Sequence, residues 1–258
     1  MKAAISFKSI LGVVVLLGSL FFLPAFKPVA PNQATVLEGS WQLTEKPENN
    51  ITVVRNMQDG FFSVAYFNLP DKKFIGTYGG SYTLQNGKFT ATYQFNTFDS
   101  TKVGSKVAGT FSQKNGKWQI QTPSGKDGKQ QTWVKVKEKT PFSPLAGAWR
   151  ISGREVQNGQ MNSMQLGPRR TIKILSDDRF QWIAFNLETA AFSGTGGGTY
   201  TLKDGKYTEH IEFFSRDNNR VGLDLTFNYE VKDGNWHHSG LSSTGGKVNE
   251  IWTRLTSE

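Results

Sequence analysis

The sequence predicts an all-β protein made of two tandem antiparallel up-and-down β-barrels, with about eight strands in each. Three observations lead to this prediction. The 258-residue chain repeats one module, it contains 27 glycines and 9 prolines, and short apolar-rich runs alternate with two-residue turn pairs. Successive hairpins without a crossover helix form an antiparallel sheet, and about eight strands are enough to close a barrel around side chains or one small ligand.

The repeat is carried by tryptophan, glycine and tyrosine motifs. The matching pairs are Gly39-Ser40-Trp41 with Gly147-Ala148-Trp149, Gly79-Gly80 with Gly197-Gly198, Tyr82 with Tyr200, and Trp133 with Trp252. The offset is 108 residues at the first pair, 118 at the glycine pair and 119 at the last. One insertion of about ten residues near 152–168 accounts for most of the drift, so the pattern indicates a duplication. The predicted barrels are 35–137 and 145–258, and 137–144 is a proline-containing linker.

The N-terminal residues 1–30 predict an export signal peptide or an N-terminal membrane anchor. Lys2 and Lys8 form a basic start, Ile10–Phe26 carries no charge, and Lys27 follows. This apolar run is intermediate in length between a signal-peptide core and a minimal membrane span. We therefore expect an exported protein that is periplasmic, secreted, or anchored to the membrane by residues 10–26. A buried core helix is the remaining alternative.

Strand positions follow from β-rich runs bounded by Asn-Gly and Asp-Gly pairs. The second copy is predicted to have strands near 146–155, 170–176, 178–187, 197–203, 206–215, 220–232, 235–242 and 248–256. The first copy has the same set in the same order. The glycines at 194 and 196–198 are interpreted as a strand bend or hairpin, because no helix and no Lys-Ser/Thr pair follows them as a phosphate loop requires.

Composition limits the classes of partner. The absence of cysteine excludes disulfides, thiolate nucleophiles and cysteine metal sites. The net charge of +9 is uneven, because 35–140 carries 14 basic and 8 acidic residues while 141–258 carries 13 of each. The basic first copy is a candidate to contact an envelope glycan or an anionic membrane surface, unless its lysines only keep turns and strand edges soluble. No arginine cluster or groove-reading motif points to nucleic acid.

Each copy begins on a Gly-x-Trp motif and ends on a strand in which a cation lies two residues after a tryptophan. The first copy has Trp41 with Trp133 and Lys135, and the second has Trp149 with Trp252 and Arg254. This resembles the lipocalin and wider calycin pattern, in which the first tryptophan closes the barrel floor and the terminal cation packs over it. A cation over an indole face contributes about 0.5–2 kcal/mol. These six residues are thus predicted to be structural.

The second copy more specifically resembles bacterial secreted lipocalin-like domains of uncharacterised function. The matching stretches are Gly198–Glu212, Trp236–Gly240 and Asn249–Arg254. The resemblance implies a barrel fold and an envelope location, and it implies no established activity. The first copy keeps the frame but loses the polar residues, so a site is not expected there.

Strand periodicity of two assigns polar residues of the second copy to the barrel interior. Glu209 stands where the first copy has Ala91, and His238 stands where it has Ile120. In the last strand Glu250 shares its face with Trp252 and Arg254. The predicted ligand-binding set is Glu209, His238, Glu250 and Arg254, with Tyr207 and Trp182 as aromatic lining, whereas His210, Glu212 and His237 are predicted to face outward.

Three roles are open for this set. It is a structural network in which Glu209 or Glu250 pairs with Arg254, a ligand site in a hydrated lumen, or a catalytic site of a hydrolase or isomerase that uses Glu209 with His238. No serine elbow, carboxylate dyad or cofactor loop supports catalysis, so a non-enzymatic protein without a cofactor is expected. No metal site is expected, because His237 and His238 are adjacent on one strand and point to opposite faces.

The function favoured by the sequence is that of an exported envelope protein that binds a small apolar or amphipathic ligand in its second barrel. The alternative is an envelope interaction protein with filled barrels that recognises glycan or protein through its outer faces. The volume of the second lumen separates the two. An empty lumen bordered by Glu209 and His238 favours ligand binding, and a lumen filled by aromatic side chains favours the alternative.

Overall fold

The computed structural model describes residues 37–45, 47, 49–122, 130–140, 142–156 and 158–256. The predicted signal or anchor segment, residues 1–30, lies outside them. Both barrels belong to one compact unit, Pro31–Glu258. Within the described ranges, no helix has the length and apolar character needed to cross a membrane.

The first copy forms a closed eight-stranded barrel. Its strands are β1 (Gly39–Leu43), β2 (Thr52–Gln58), β3 (Phe61–Asn68), β4 (Lys73–Gln85), β5 (Lys88–Asn96), β6 (Lys106–Lys114), β7 (Lys117–Gln121) and β8 (Gln130–Lys135). Each strand pairs antiparallel with the next in chain order, and β1 pairs with β8 to close the sheet.

The second copy forms a barrel of the same topology with one added strand. Its strands are β9 (Gly147–Glu155), β10 (Met161–Ser163), β11 (Arg169–Leu175), β12 (Arg179–Asn186), β13 (Phe192–Lys203), β14 (Lys206–Phe214), β15 (Asp224–Lys232), β16 (Asn235–Leu241) and β17 (Lys247–Arg254). Pairing of β9 with β17 closes the barrel, and β10 extends the sheet beside β9. The predicted fold of two tandem antiparallel eight-stranded barrels is confirmed.

The turn pairs explain why the hairpins form at these positions. At five of the Asn-Gly and Asp-Gly pairs both residues have positive φ, as at Asn86 (51°) and Gly87 (73°) or Asp233 (51°) and Gly234 (76°). This is the type I′ conformation, whose twist matches that of the flanking strands, and Asn, Asp and Gly adopt it at low cost.

Three details differ from the predicted strands. Strand β10 lies in the insertion and was not predicted. Strand β13 begins at Phe192, five residues before the predicted start at 197. The glycines of this segment leave room for neighbouring side chains, since a Cβ on Gly196 would lie 2.6 Å from Trp182 Nε1. Residues 218–220 form a 3₁₀ turn, whose first turn is capped by the side chain of Asp217, so β15 begins only at Asp224.

The two barrels share an apolar interface. Outward-facing residues of β2 and β3 pack against outward-facing residues of β11 and β12, which are the equivalent strands, and the buried side chains include Phe61, Phe67, Ile172, Ile174, Ile183 and Phe185. Gln181 Nε2 donates to Thr77 Oγ1 (2.9 Å) and to Thr195 Oγ1 (3.1 Å), two threonines at equivalent places in the two barrels. Each copy thus closes its own sheet, and these strands are buried on both faces.

Candidate functional site

The closed end of each barrel is built on its Gly-x-Trp motif. Trp149 is 1% exposed and its Nε1 donates to the carbonyl of Leu145 (2.8 Å). The guanidinium carbon of Arg254 lies 3.9 Å from the Trp149 ring centroid. Gly147 is required between them, because a Cβ there would overlap the Arg254 guanidinium. The first barrel repeats this arrangement, with Lys135 Nζ 5.2 Å from the ring centroid of Trp41.

The placement of Arg254 corrects its predicted role in the lumen. Its Nη1 donates to the carbonyl of Ala146 (2.6 Å) and lies 3.4 Å from Asp59 Oδ2 of the first barrel. It pairs with neither Glu209 nor Glu250 and does not line the cavity of the second barrel. The strand register explains this placement. Arg254 pairs with Trp149 near the start of β9, at the closed end of the barrel, and therefore lies outside the cavity of the second barrel.

A cavity of about 510 Å³ occupies the second barrel. Such a volume lies in the range of small-molecule sites, roughly 300–1,000 Å³. Its apolar lining includes Trp182, Phe214, Leu225, Phe227, Val248 and Trp252, and its polar lining includes Glu209, His238 and Glu250. The insertion unique to this copy contributes Arg154 and Glu155 to the same cavity.

Glu209 is held by a lysine from across the barrel. Lys173 Nζ lies 2.8 Å from Glu209 Oε1, and the side chains are 6% and 5% exposed. Tyr207 donates its hydroxyl hydrogen to the same oxygen (2.9 Å), and burial raises the pKa of that hydroxyl. Lys173 also lies 4.9 Å from the Trp236 ring centroid. The carboxylate therefore belongs to a satisfied buried network, which is the arrangement a buried charge requires.

Glu250 is held by the insertion. Arg154 donates to Glu250 Oε1 from Nη2 (2.7 Å) and Nε (3.2 Å), and Trp252 Nε1 donates to Oε2 (3.1 Å). Burial alone would raise the pKa of Glu250. The contact with His238 and the charges of Arg154 and Lys173 outweigh burial and lower the pKa to about 2.

His238 is the polar group of the cavity that lacks partners. It is 3% exposed, and its ring centroid lies 4.2 Å from that of Phe227. Its Nδ1 is 3.5 Å from Glu250 Oε2, and neither ring nitrogen has a hydrogen-bond partner in the described part of the chain. Burial and the charge of Lys173 lower its pKa below the usual 6.5. The ring is thus neutral at pH 7, with one donor and one acceptor.

The structure brings most of the predicted ligand-binding set together. Glu209, His238, Glu250 and Trp182 line the cavity, and Tyr207 is fully buried beneath Glu209. Sequence reasoning missed the two cations. Lys173 could have been found, because the first copy also has a cation, Arg55, in the apolar run of the same strand. Arg154 has no such signal, since it begins the insertion.

The outward candidates lie apart from the cavity. His210 Nδ1 is 2.7 Å from Asp224 Oδ1 at the surface, and Glu212 forms an ion pair with Arg179. In the ranges that the structure describes, no three His, Asp or Glu side chains are grouped so that they could hold a metal ion.

Acid should destabilise the protein in two steps. His238 has a folded pKa below its unfolded value, so the unfolded chain binds the extra proton and stability falls as the pH drops below about 6.5. Glu250 has a folded pKa of about 2 against a usual 4.5, so a further contribution of roughly 3 kcal/mol is lost between about pH 4.5 and 2. Urea unfolding at a series of pH values measures both steps.

Two substitutions separate the steps. His238→Phe keeps a ring beside Phe227 and should flatten the upper part of the profile; because the contact with His238 helps to lower the pKa of Glu250, it should also weaken the lower step. Glu250→Gln should flatten the lower part and leave the upper step, because burial and the charge of Lys173 still lower the pKa of His238. The assignment is contradicted if both variants keep the wild-type slope throughout.

One protein-family model matches the second copy. Residues 144–258 match the model of a family described as a domain of unknown function (DUF4488). No curated protein matches the chain.

Two solved structures resemble it. One is a lipocalin-like protein from Bacteroides uniformis ATCC 8492, with 15% identity and a TM-score of 0.32, covering 44% of this chain and 100% of that chain. The other is the uncharacterized protein YLR301w from Saccharomyces cerevisiae, with 14% identity and a TM-score of 0.42, covering 83% of this chain and 95% of that one. The chain consists of two closed antiparallel eight-stranded barrels in tandem, and the DUF4488 family model matches the second of them.

Proposed function

We propose that this protein is a non-enzymatic carrier or receptor that binds one small amphipathic molecule in the second barrel. The observation that carries the proposal is His238, a buried neutral imidazole at the wall of a cavity of about 510 Å³; its Nε2 has no hydrogen-bond partner in the described part of the chain, and its Nδ1 reaches Glu250 Oε2 only at 3.5 Å. A buried polar group without a partner costs free energy, and a guest with a hydroxyl, carbonyl or amide group would supply the missing bonds.

The apolar lining supports an amphipathic guest over a fully polar one. Trp182, Phe214, Leu225 and Val248 are only partly buried and border the cavity, so a guest that covers them removes apolar surface from water. Glu209 is an orienting part of the wall in this proposal, since Lys173 and Tyr207 already occupy its Oε1.

The charge of the lining favours an anionic guest over a cationic one. Six cationic residues border the cavity, against the three acidic residues Glu155, Glu209 and Glu250; the cations are Arg154, Arg169, Arg170, Lys173, Arg216 and Lys247. The surplus of positive charge attracts anions and steers their approach.

A location outside the cytoplasm is part of this proposal. It rests on the apolar run at 10–26 and on the absence of cysteine. A role for the basic first copy at an envelope glycan or anionic membrane stays a prediction. Fractionation of cells that express the full chain, with detection of the second barrel by antibody, tests the location.

Binding is tested with the anionic amphiphile 8-anilinonaphthalene-1-sulfonate as the probe. Leu225→Trp should fill the cavity and abolish most of the probe's fluorescence enhancement. The matched control is Val231→Trp on the same strand, β15. Val231 is 42% exposed and does not line the cavity, so this variant should bind like the wild type.

Native mass spectrometry of the wild type should show a co-purified molecule that Leu225→Trp lacks. Equal fluorescence enhancement by both tryptophan variants would place the probe outside the barrel and remove the support for a luminal site.

A further inference from the structure

The first barrel buries a cation without a carboxylate. Arg55 on β2 pairs opposite Trp41, as Lys173 on β11 pairs opposite Trp149, so the two cations occupy equivalent positions. Arg55 is 3% exposed and its guanidinium carbon lies 4.3 Å from the ring centroid of Trp133. Its Nε and Nη1 have no hydrogen-bond partner among the residues that the structure describes.

The carboxylates that satisfy the second barrel are missing from the first. Ala91 pairs with Tyr82 where Glu209 pairs with Tyr200, and Gln131 pairs with Ile120 where Glu250 pairs with His238. Trp252 Nε1 donates to Glu250, whereas the equivalent Nε1 of Trp133 is buried without a partner in the described ranges. Three buried donor atoms, Arg55 Nε, Arg55 Nη1 and Trp133 Nε1, therefore lie without the two carboxylates that the second barrel has at the equivalent positions.

A cavity lies beside Ala91 and Gln131, the positions equivalent to the two glutamates. Its volume is about 180 Å³, and its wall includes Arg55, Phe62, Phe89, Ala91, Val107 and Gln131. An apolar cavity of about 150 Å³ accommodates benzene, so this one has room for a single ring or a short chain with a small head group. The aromatic walls suit the apolar body, and the guanidinium fork suits a carboxylate.

We propose that the first barrel binds a small organic carboxylate whose oxygens accept hydrogen bonds from Arg55, in place of the glutamates that the second barrel carries in its own chain. Arginine stacked on tryptophan can be buried more readily than lysine, because its guanidinium is more weakly hydrated. This explains how Arg55 can be buried in the first barrel without a carboxylate from the chain beside it. The site is distinct from the proposed luminal site of the second barrel, so either proposal can fail alone.

Benzoate is the probe, titrated into the full chain by isothermal calorimetry. We expect saturable binding in the first barrel, and binding of benzamide, the neutral molecule of the same shape, about ten- to hundredfold weaker because it lacks the charge-assisted bond. A dissociation constant above about 1 mM for benzoate, or equal affinity for both molecules, overturns the proposal.

Ala91→Glu tests the mechanism, because it supplies from the chain the carboxylate that the second barrel has at Glu209. It should abolish benzoate binding and hold or raise the melting temperature. If this variant does not fold, Gln131→Glu serves instead, since it places a carboxylate where Glu250 accepts from Trp252 in the second barrel. Loss of benzoate binding in Leu225→Trp, with binding retained in Ala91→Glu or Gln131→Glu, would place benzoate in the second barrel and overturn the assignment to Arg55.

Discussion

Glu209→Ala is expected to lower the free energy of unfolding by about 3–5 kcal/mol. The substitution leaves Lys173 Nζ, in a side chain 6% exposed, without the carboxylate 2.8 Å away. It also removes the acceptor of the Tyr207 hydroxyl. Both groups are buried, so they keep most of their desolvation cost and lose its compensation. Urea denaturation of the full chain measures the loss.

A double substitution distinguishes a broken ion pair from a packing defect. Lys173→Met with Glu209→Leu removes both charges and keeps the volume, so it should recover most of the stability lost by Glu209→Ala. Lys173→Arg with Glu209→Ala reproduces the arrangement of the first barrel and should recover part of it. Glu230→Ala, at an exposed position of β15, should stay within about 0.5 kcal/mol of the wild type. If Glu209→Ala melts like the Glu230 variant, the ion pair has no structural role.

The scaffold could be predicted because its signals are local. Five Asn-Gly or Asp-Gly pairs each fix one hairpin through their own φ angles, and the repeated Gly-x-Trp motif marks where each barrel begins. The added strand β10 was not predicted, although Asn158-Gly159 stands between β9 and β10, because the strand is only three residues long and lies in the insertion.

The partners in the site could not be predicted, because periodicity gives a face and not a neighbour. Lys173 on β11 and Glu209 on β14 are separated by two strands along the sheet and meet only across the closed barrel. Arg154 reaches Glu250 because β9 and β17 pair to close the barrel, a contact between residues 96 positions apart. Arg254 was assigned to the same face as Glu250 because the two residues are four apart in one strand. Alternation predicts the face but not the depth in the barrel, and Arg254 lies at the closed end beside Trp149.

The interface between the two barrels could not be predicted from the sequence for a related reason. The runs around Ile172, Ile174 and Ile183 predict strands, and an apolar run does not reveal that both of its faces are covered. In the structure these isoleucines pack against the first barrel, while Lys173 and Trp182 between them face the lumen. The wall that positions Lys173 is therefore supported from outside by the first copy, which gives the duplication a structural role in the site.

Trp149→Ala is expected to cost about 3–5 kcal/mol, the usual loss when a buried large aromatic side chain is removed. The indole is 1% exposed and packs edge-on to Trp236 with ring centroids 5.8 Å apart, and its removal also takes the ring from beneath Arg254. Arg254 then keeps its bonds to the carbonyls of Ala146 and Pro144 and its contact with Asp59 but loses the ring that holds it in place, so the link between the barrels should loosen as well.

Variants of Arg254 separate the two contributions to this loss. Arg254→Ala should cost less than Trp149→Ala, on the order of 1–2 kcal/mol, since the indole remains buried and only the cation over it is removed. Arg254→Lys reproduces the Trp41 and Lys135 pair of the first barrel and should recover part of that cost. Trp182→Ala is the matched tryptophan control, because this partly exposed side chain lines the cavity instead of the closed end. A Trp149→Ala protein whose urea midpoint equals that of the wild type would show that the Gly-x-Trp floor does not hold the barrel closed.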